Sequence, residues 1–233
     1  MTKQFEMASQ ALQKMTLVHS EKLTENTLLL RLKPFSTFDF HGGQYVMMGM
    51  DKEELKPFSI ASANRDDDLI ELHIRDTEHS KWMQTLFDLE IGTILWSSVA
   101  ANQYELASPK QLNDKTVILI AGGTGYAPMR ALLDELLKRP NPPKIEFYWG
   151  AKTQEELYRD DEMKQLAAQY DNISYIPVLS GERGVAERGV HRRVLTDHLD
   201  LSNVHIYLCG PWAMLDAAKK DFIAAGLTPD QFN

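Results

Sequence analysis

One stretch in the middle of the chain restricts its fold more than any other: an apolar strand that runs directly into a glycine-rich turn and a helix. Val117–Ala121 contains only apolar residues, as expected of a strand buried on both faces of a parallel sheet. Gly122–Gly125 follows without a break, and from Pro128 the apolar residues recur at helical spacing. A buried strand, a tight turn and a helix in this order predict an α/β unit.

Strand and helix patterns alternate from this stretch onward. Further strands are predicted at Ile145–Trp149, Ile173–Leu179 and Val204–Cys209. Helices are predicted at Pro128–Lys138, Glu155–Tyr170, His191–Leu199 and Trp212–Ala225. The alternation predicts a parallel sheet with helices on both faces.

The first half of the chain has short apolar segments separated by turn residues. Strands are predicted at Thr27–Leu32, Gln44–Gly49, Pro57–Ala61, Leu69–Ile74 and Thr93–Ser97. Gly42-Gly43 and Asn64–Asp68 are typical turns, and Ser80 is a suitable N-cap for a helix over Ser80–Leu89. This pattern predicts a small antiparallel β-barrel or sandwich. We therefore divide the chain into an N-terminal extension (1–14), a β-barrel domain (15–110) and an α/β domain (111–233).

Composition excludes several classes of function. The formal net charge is -8, which disfavours nucleic acid and anionic membranes as partners. The only cysteine is Cys209, so the chain cannot supply the four cysteines of an iron–sulfur cluster, and we expect no metal site. The first residues lack the apolar core of a secretory signal, and no apolar run reaches the ~18 residues of a membrane helix. We expect a cytoplasmic protein.

The glycine-rich turn is the strongest chemical signal. Glycine permits positive φ angles and close approach to a ligand, and the N-terminus of a helix favours an anion such as a pyrophosphate. The spacing from Gly123 to Pro128 is G-x-G-x-x-P, and a proline in the first helical turn removes no hydrogen bond. The alternative is an ordinary strand–helix turn, but the buried strand before it favours phosphate binding.

Two weaker motifs accompany the turn. Lys56–Ser62 is by itself a strand with an edge proline, and Cys209 is by itself a small buried side chain. Cys209, however, ends a predicted parallel strand and is followed by Gly210-Pro211, which forces a turn. Ligands of open parallel sheets bind beyond the carboxyl ends of the strands. We therefore expect Gly122 and Cys209 to share one cleft, and the strand bearing Ser59 to face it.

These motifs occur in the order found in the ferredoxin–NADP reductase superfamily. The chain resembles most closely the bacterial NAD(P)H:flavin reductases, from about Met15 onward. The resemblance also rests on Gly43-Gln44-Tyr45, Leu72-His73-Ile74 and Tyr148-Trp149-Gly150. It implies a flavin-binding antiparallel barrel followed by an NAD(P)-binding α/β domain. The implied cofactors are a flavin (FAD, FMN or riboflavin) and NADH or NADPH.

The resemblance also implies roles for individual residues. Ser59 would hydrogen-bond near flavin N5, Cys209 would lie close to nicotinamide C4, and Thr124 would lie near the pyrophosphate. The implied cofactor-binding residues are Lys56, Pro57, Phe58, Ser59, His73, Ser80, Gly122, Gly123, Thr124, Gly125, Pro128, Cys209, Gly210 and Pro211.

Two departures from the family pattern concern the flavin phosphate. Lys56 replaces the usual arginine, and lysine offers a point charge where arginine offers a bidentate fork. Thr77-Glu78-His79-Ser80 replaces the usual Gly-x-x-Ser, so Glu78 would repel a phosphate. We therefore expect a flavin that binds reversibly and leaves reduced, to serve a monooxygenase, a luciferase or ferric iron.

Two alternatives remain open at this stage. One is a reductase that holds FAD tightly and passes electrons to a ferredoxin-like or oxygenase partner; the other is a non-catalytic electron-transfer or regulatory subunit. The choice between NADH and NADPH also stays open, because Ser180 and Arg183 favour a 2′-phosphate while Glu182 opposes it.

Overall fold

The computed structural model describes residues 12–77, 79–180, 189–228 and 231–232, and these form two compact units. The first unit contains the described residues up to Tyr104 together with Arg130–Glu135. The second contains Glu105–Met129 and the described residues from Leu136 onward. Of the predicted N-terminal extension, only residues 12–14 are described.

Within its described residues, the first unit is built on seven antiparallel strands and one helix. The elements are β1 (Gln13–Thr24), β2 (Thr27–Pro34), β3 (Gln44–Gly49), β4 (Lys56–Ser59), β5 (Ile70–Arg75), α1 (Lys81–Phe87), β6 (Ile94–Ser97) and β7 (Ala101–Asn102). The strand order is β4-β3-β6-β1-β2-β5, and β7 pairs with β3. A bridge between Ile60 and Leu72 joins the two ends of this order, so the sheet closes into a barrel.

Strand alternation fills the barrel. Ile70, Leu72 and Ile74 lie on one face of β5 and are fully or almost fully buried in the barrel core, together with Met15 and Leu17 of β1. The sequence did not predict β1, because only its first half alternates apolar and polar residues and its second half is polar. The pairing of β1 with both β2 and β6 supplies the stability that its composition lacks.

The second unit contains a four-stranded parallel sheet, as predicted. Its elements are β8 (Thr116–Gly122), α2 (Tyr126–Leu137, of which Arg130–Glu135 is grouped with the first unit), β9 (Lys144–Ala151), α3 (Asp160–Gln169), β10 (Ile173–Leu179), α4 (Val190–Asp197), β11 (Val204–Cys209) and α5 (Trp212–Ala224). The strand order is β10-β9-β8-β11. Ile118 and Ile120 of β8 pack with Val194 of α4 and Phe222 of α5 in one core cluster.

One predicted helix differs from the observed one. Glu155–Tyr170 was expected to be continuous, but Gln154–Glu156 forms a separate 3-10 turn, and α3 begins only at Asp160. The Asp160 carboxylate accepts hydrogen bonds from Tyr175 Oη (2.9 Å) and Gln154 Nε2 (2.7 Å). The first residue of α3 is thus tied by its side chain both to β10 and to the preceding 3-10 turn.

No helix in the described part of the chain combines the length and the apolar composition that crossing a membrane requires.

Candidate functional site

In the first unit, β4 directs its residues to two different sides. Phe58 packs against the barrel core, whereas Pro57 is exposed and Ser59 is half-buried on the opposite face. The register pairs Ser59 with Tyr45 on β3, so these two side chains lie on the same face. The face formed by Tyr45, Pro57 and Ser59 is therefore the part of this motif that a planar ring can reach.

The hydroxyl of Ser59 has a partner that no motif predicted. Ser59 Oγ donates to Gln103 Oε1 at 2.9 Å, and Gln103 Nε2 donates to Tyr104 Oη at 3.3 Å. Gln103 directly follows β7, which pairs with β3 beside Tyr45. Only the barrel topology brings Gln103 to Ser59, 44 positions away in sequence.

Lys56 contacts an aromatic ring on α1. Its Nζ lies 4.9 Å from the centroid of the Trp82 ring, within the range of a cation–π interaction. The Phe58 ring stacks on the same indole, with ring centroids 6.3 Å apart and an interplanar angle of 16°. The ammonium at the position of the family's arginine is therefore held against Trp82.

His73 lies in a buried ionic network on the barrel. Its Nε2 is 3.2 Å from Glu71 Oε1, and Glu71 also accepts a hydrogen bond from Arg31 Nε at 2.8 Å and lies 3.6 Å from Arg65 Nη2. Burial alone raises the pKa of Glu71, but its interactions with His73, Arg31 and Arg65 outweigh burial and lower that pKa to about 2. The structure thus gives His73 a partner within the protein, and its role toward a flavin stays a prediction.

Ser80 has the capping role that its sequence position predicted. It is the N-cap of α1, and its Oγ accepts a hydrogen bond from Met83 N at 3.3 Å. Glu78, which was expected to repel a phosphate near this helix, lies outside the described residues.

In the second unit, β8 leads into the glycine-rich turn. The 3-10 turn Gly123–Gly125 follows Gly122, and α2 begins at Tyr126, two residues before the predicted start. Gly123 has a φ of 55°, in the left-handed region that glycine adopts readily. Pro128 is buried in the first turn of α2. The first N–H groups of such a helix have no intrahelical acceptor and suit a phosphate.

The loop that contains Cys209, Gly210 and Pro211 lies beside the glycine-rich turn. The parallel register pairs Cys209 with Ala121, and a Cβ on Gly125 would lie only 2.2 Å from the carbonyl oxygen of Cys209. Gly125 therefore permits a backbone contact that any side chain would prevent. Half-buried Cys209 is followed by the turn residues Gly210 and Pro211 at the carboxyl edge of the sheet.

Met214 on α5 packs against both the glycine-rich turn and the loop that follows Cys209. A Cβ on Gly122 would lie 2.7 Å from its Sδ, and one on Gly210 would lie 2.4 Å from its Cε. No motif marks Met214 as part of the site, because it fits the ordinary apolar pattern of a helix. Because Gly122 and Gly210 have no side chains, the Met214 side chain can fill the space beside them.

The residues expected near the adenosine end are only partly described. Ser180 Oγ donates to Ala151 O at 3.2 Å, while Glu182 and Arg183 lie outside the described residues. Thr124 is half-buried in the turn between β8 and α2.

The residues of the barrel unit and those of the α/β unit suit two different kinds of ligand. The barrel presents a hydroxyl, an exposed proline and an aromatic side chain on one face, which suits a flat heterocycle with polar edges. The α/β unit presents a glycine-rich turn at a helix N-terminus beside Cys209, which suits a pyrophosphate-linked dinucleotide.

Comparison with known proteins agrees with this division. Residues 14–99 match the oxidoreductase FAD-binding domain, and residues 119–220 match the oxidoreductase NAD-binding domain. A probable flavin reductase of Vibrio harveyi is 36% identical, over 91% of this chain and 93% of the relative.

A longer relative and a solved structure extend the comparison. The CDP-6-deoxy-L-threo-D-glycero-4-hexulose-3-dehydrase reductase of Yersinia pestis is 30% identical over 88% of this chain, which spans only 62% of that relative. The ferredoxin–NADP+ reductase of Plasmodium falciparum has the same fold, with a TM-score of 0.79 and 18% identity over 97% of this chain and 96% of that one. The chain therefore belongs to the flavin reductase family of oxidoreductases, with the fold of the ferredoxin–NADP reductases.

Proposed function

We propose that the protein is an NAD(P)H:flavin oxidoreductase that reduces FMN, FAD or riboflavin. The observation that carries this proposal is the presence in one chain of the Ser59 face of a barrel and of the Gly122–Gly125 turn beside Cys209. The same chain matches both a FAD-binding and an NAD-binding domain, and a relative of nearly equal length is named a probable flavin reductase.

The protein's share of such a reaction is binding and orientation. A bound flavin accepts the hydride that NAD(P)H supplies, so the chain needs no strong acid or base of its own. Ser59 would lie at the flavin N5 edge, and Gln103 holds the proton of its hydroxyl. The Ser59 oxygen is therefore available to accept a hydrogen bond, and it donates only after the hydroxyl rotates away from Gln103.

The nucleotide side requires no charged side chain for its phosphates. The turn from Gly122 to Gly125 would bind the pyrophosphate through backbone N–H groups, with Thr124, Pro128, Gly210 and Pro211 completing the loops around it. Cys209 would contact the nicotinamide ring, and its apolar thiol would exclude water from that contact.

We propose further that the flavin is exchanged as a substrate. Lys56 offers a phosphate a point charge and not a bidentate fork, and its ammonium already lies against the Trp82 ring. This favours a loosely held flavin whose reduced form leaves to serve a monooxygenase, a luciferase or ferric iron.

A second candidate function follows from the longer relative. The Yersinia pestis protein is named as the reductase of a dehydrase. By analogy, this chain would retain its flavin and pass electrons directly to a protein partner.

Steady-state assays with the purified protein test the proposal. We expect NADH or NADPH to be oxidised when riboflavin, FMN or FAD is added, and we expect dialysed protein to lose its yellow colour. Protein that keeps stoichiometric FAD through dialysis would favour the second candidate. No oxidation with any added flavin would contradict the first candidate. If NADH and NADPH also failed to bleach flavin bound to the protein, a non-catalytic subunit would remain.

The role of Ser59 has its own test. In Ser59→Ala, we expect the rate of hydride transfer in stopped-flow traces to fall roughly tenfold, the equivalent of about one lost hydrogen bond, while flavin affinity changes less. Ser36→Ala is the matched control, because Ser36 Oγ donates to Gln13 Oε1 in a similar exposed pair on the barrel. An unchanged transfer rate in Ser59→Ala would remove Ser59 from the reaction.

A further inference from the structure

We propose that Trp149 is a positioning residue that keeps the Gly122–Gly125 turn in the conformation that binds the dinucleotide pyrophosphate. The inference rests on the proposed function, because it assigns a residue to the nucleotide half of that site. It concerns a side chain that cannot touch solvent, since Trp149 is completely buried.

The position of Trp149 follows from the sheet. Trp149 lies on β9 directly beside Ala121 on β8, one residue before the glycine turn begins. Its indole Nε1 donates a hydrogen bond to the carbonyl oxygen of Gly123 at 2.9 Å. A central strand of the sheet thus donates one hydrogen bond to the Gly123 carbonyl, which also accepts a backbone hydrogen bond from the N–H of Tyr126.

The same side chain also fixes the far end of the turn. Its ring stacks on Tyr126, the first residue of α2, with centroids 4.2 Å apart and an interplanar angle of 24°. Tyr158 packs edge-on against both rings, at 5.1 Å from Trp149 and 5.5 Å from Tyr126. The indole therefore contacts both the first residue of the 3-10 turn and the first residue of the helix.

The orientation of one peptide group makes these contacts important for binding. In a trans peptide the C=O and N–H groups point in opposite directions, so a Gly123 carbonyl directed at Trp149 directs the Thr124 N–H away from it. A flip of this peptide changes ψ of Gly123 and φ of Thr124, and because Gly123 has no side chain, its ψ is only weakly restricted. A flipped peptide would present a carbonyl oxygen where the N–H had been, and an oxygen repels a phosphate.

Trp149 therefore restricts the turn to the conformer that offers N–H groups. Without the indole N–H, only the Tyr126 N–H holds the Gly123 carbonyl, so the flipped orientation becomes more populated. The molecules in that orientation cannot bind until the peptide flips back. The apparent affinity for the nucleotide is then reduced in proportion to the fraction of molecules that are in the binding conformation. Binding of a flavin in the barrel unit does not depend on this peptide group.

Calorimetric binding of ADP-ribose tests the inference on the full chain without flavin. Trp149→Phe keeps an aromatic ring and removes the donor, and we expect ADP-ribose to bind roughly three- to tenfold more weakly. In assays, the KM for NADH should rise by a similar factor, while kcat and the KM for riboflavin stay within about twofold. Trp96→Phe, on β6 of the barrel, is the matched control and should leave ADP-ribose affinity unchanged.

A second variant separates the hydrogen bond from the packing. Site-specific replacement of Trp149 by 3-benzothienylalanine exchanges only the indole N–H for sulfur, so it remains informative even where the phenylalanine variant fails to fold. It should reproduce the loss of ADP-ribose affinity. Full affinity in this variant would overturn the inference alone, whereas failure of the unaltered protein to bind ADP-ribose would overturn the proposed function.

Discussion

Glu71 shows what a single buried carboxylate contributes to the barrel. It is only 8% exposed, yet it stays ionised because His73, Arg31 and Arg65 surround it. An isolated charge at such a position would be costly, so the three basic groups determine whether Glu71 stabilises or destabilises the fold.

The lowered pKa of Glu71 predicts a specific pH dependence of stability. Its pKa falls from 4.5 to about 2 on folding, so the unfolded chain binds the proton more readily. The stabilisation is fully present above pH ~4.5 and is lost as the pH falls toward 2, and it amounts to on the order of 3 kcal/mol. We expect Glu71→Gln to be less stable by about this amount at pH 7 and nearly equal to the unaltered protein near pH 2.

Urea unfolding at several pH values between 2 and 7 measures this difference. Exposed Glu25, replaced by Gln, is the control, and its stability should follow that of the unaltered protein throughout. A constant difference between Glu71→Gln and the unaltered protein over the whole range would mean that Glu71 contributes through packing and not through its charge.

At the scale of single residues, the sequence predicts site residues that belong to a recognisable motif. It does not predict residues that reach the site only through the folding of distant segments. Gly125 could be singled out because glycine is needed where two backbones meet, and Ser80 because serine caps helices. Gln103 and Trp82 carry no such signal. Their relation to Ser59 and Lys56 exists only because β7 pairs with β3 and α1 packs beside β4.

At the scale of elements, the segment that opens the second unit is fixed by one tyrosine. Tyr207 on β11 is fully buried, and its Oη accepts a hydrogen bond from Ala107 N at 2.8 Å and lies 3.3 Å from Glu105 O. Arg139 Nη2 donates to Ala107 O at 2.8 Å. An irregular stretch of chain thus gains the backbone partners that a strand or helix would otherwise provide.

Removing the Tyr207 hydroxyl should lower the free energy of unfolding, although only one oxygen atom is lost. In Tyr207→Phe the buried N–H of Ala107 loses its acceptor, and we expect a loss of about 1–3 kcal/mol in the free energy of unfolding. Urea unfolding measures it. Tyr170→Phe is the control, because Tyr170 makes no side-chain hydrogen bond within the described ranges and should change little. Equal effects in the two variants would show that the segment does not depend on Tyr207.

The contrast between predicted and missed elements has a physical cause. β8, β9, β10 and β11 were predicted within one or two residues. β8, β9 and β11 are buried on both faces and are therefore mostly apolar, whereas β10 is only partly buried. β1 and β7 were missed, since a partly solvated strand and a two-residue strand carry little apolar signal. The break before α3 was missed because it depends on Asp160 and Tyr175, which are distant in sequence.

At the scale of the whole molecule, the two candidate functions differ in how electrons leave the protein. A flavin held as a substrate carries them away by diffusion, so an acceptor never needs to touch the protein. A flavin retained by the protein requires contact between the protein and its acceptor. Lys56, which stands at the position of the family's arginine and lies against Trp82, favours diffusion, because lysine would offer a flavin phosphate only a point charge.

A dialysis membrane that the 26.6 kDa chain cannot cross distinguishes these two routes of electron transfer. With protein, NADH and riboflavin on one side and a ferric chelate with a ferrous indicator on the other, we expect the indicator to colour under anaerobic conditions, because reduced riboflavin crosses. The rate should increase with riboflavin concentration, and Ser59→Ala should slow it. A chamber without protein corrects for direct reduction by NADH. Colour that develops only when chelate and protein share a chamber would show that electrons leave by contact, as the second candidate function requires.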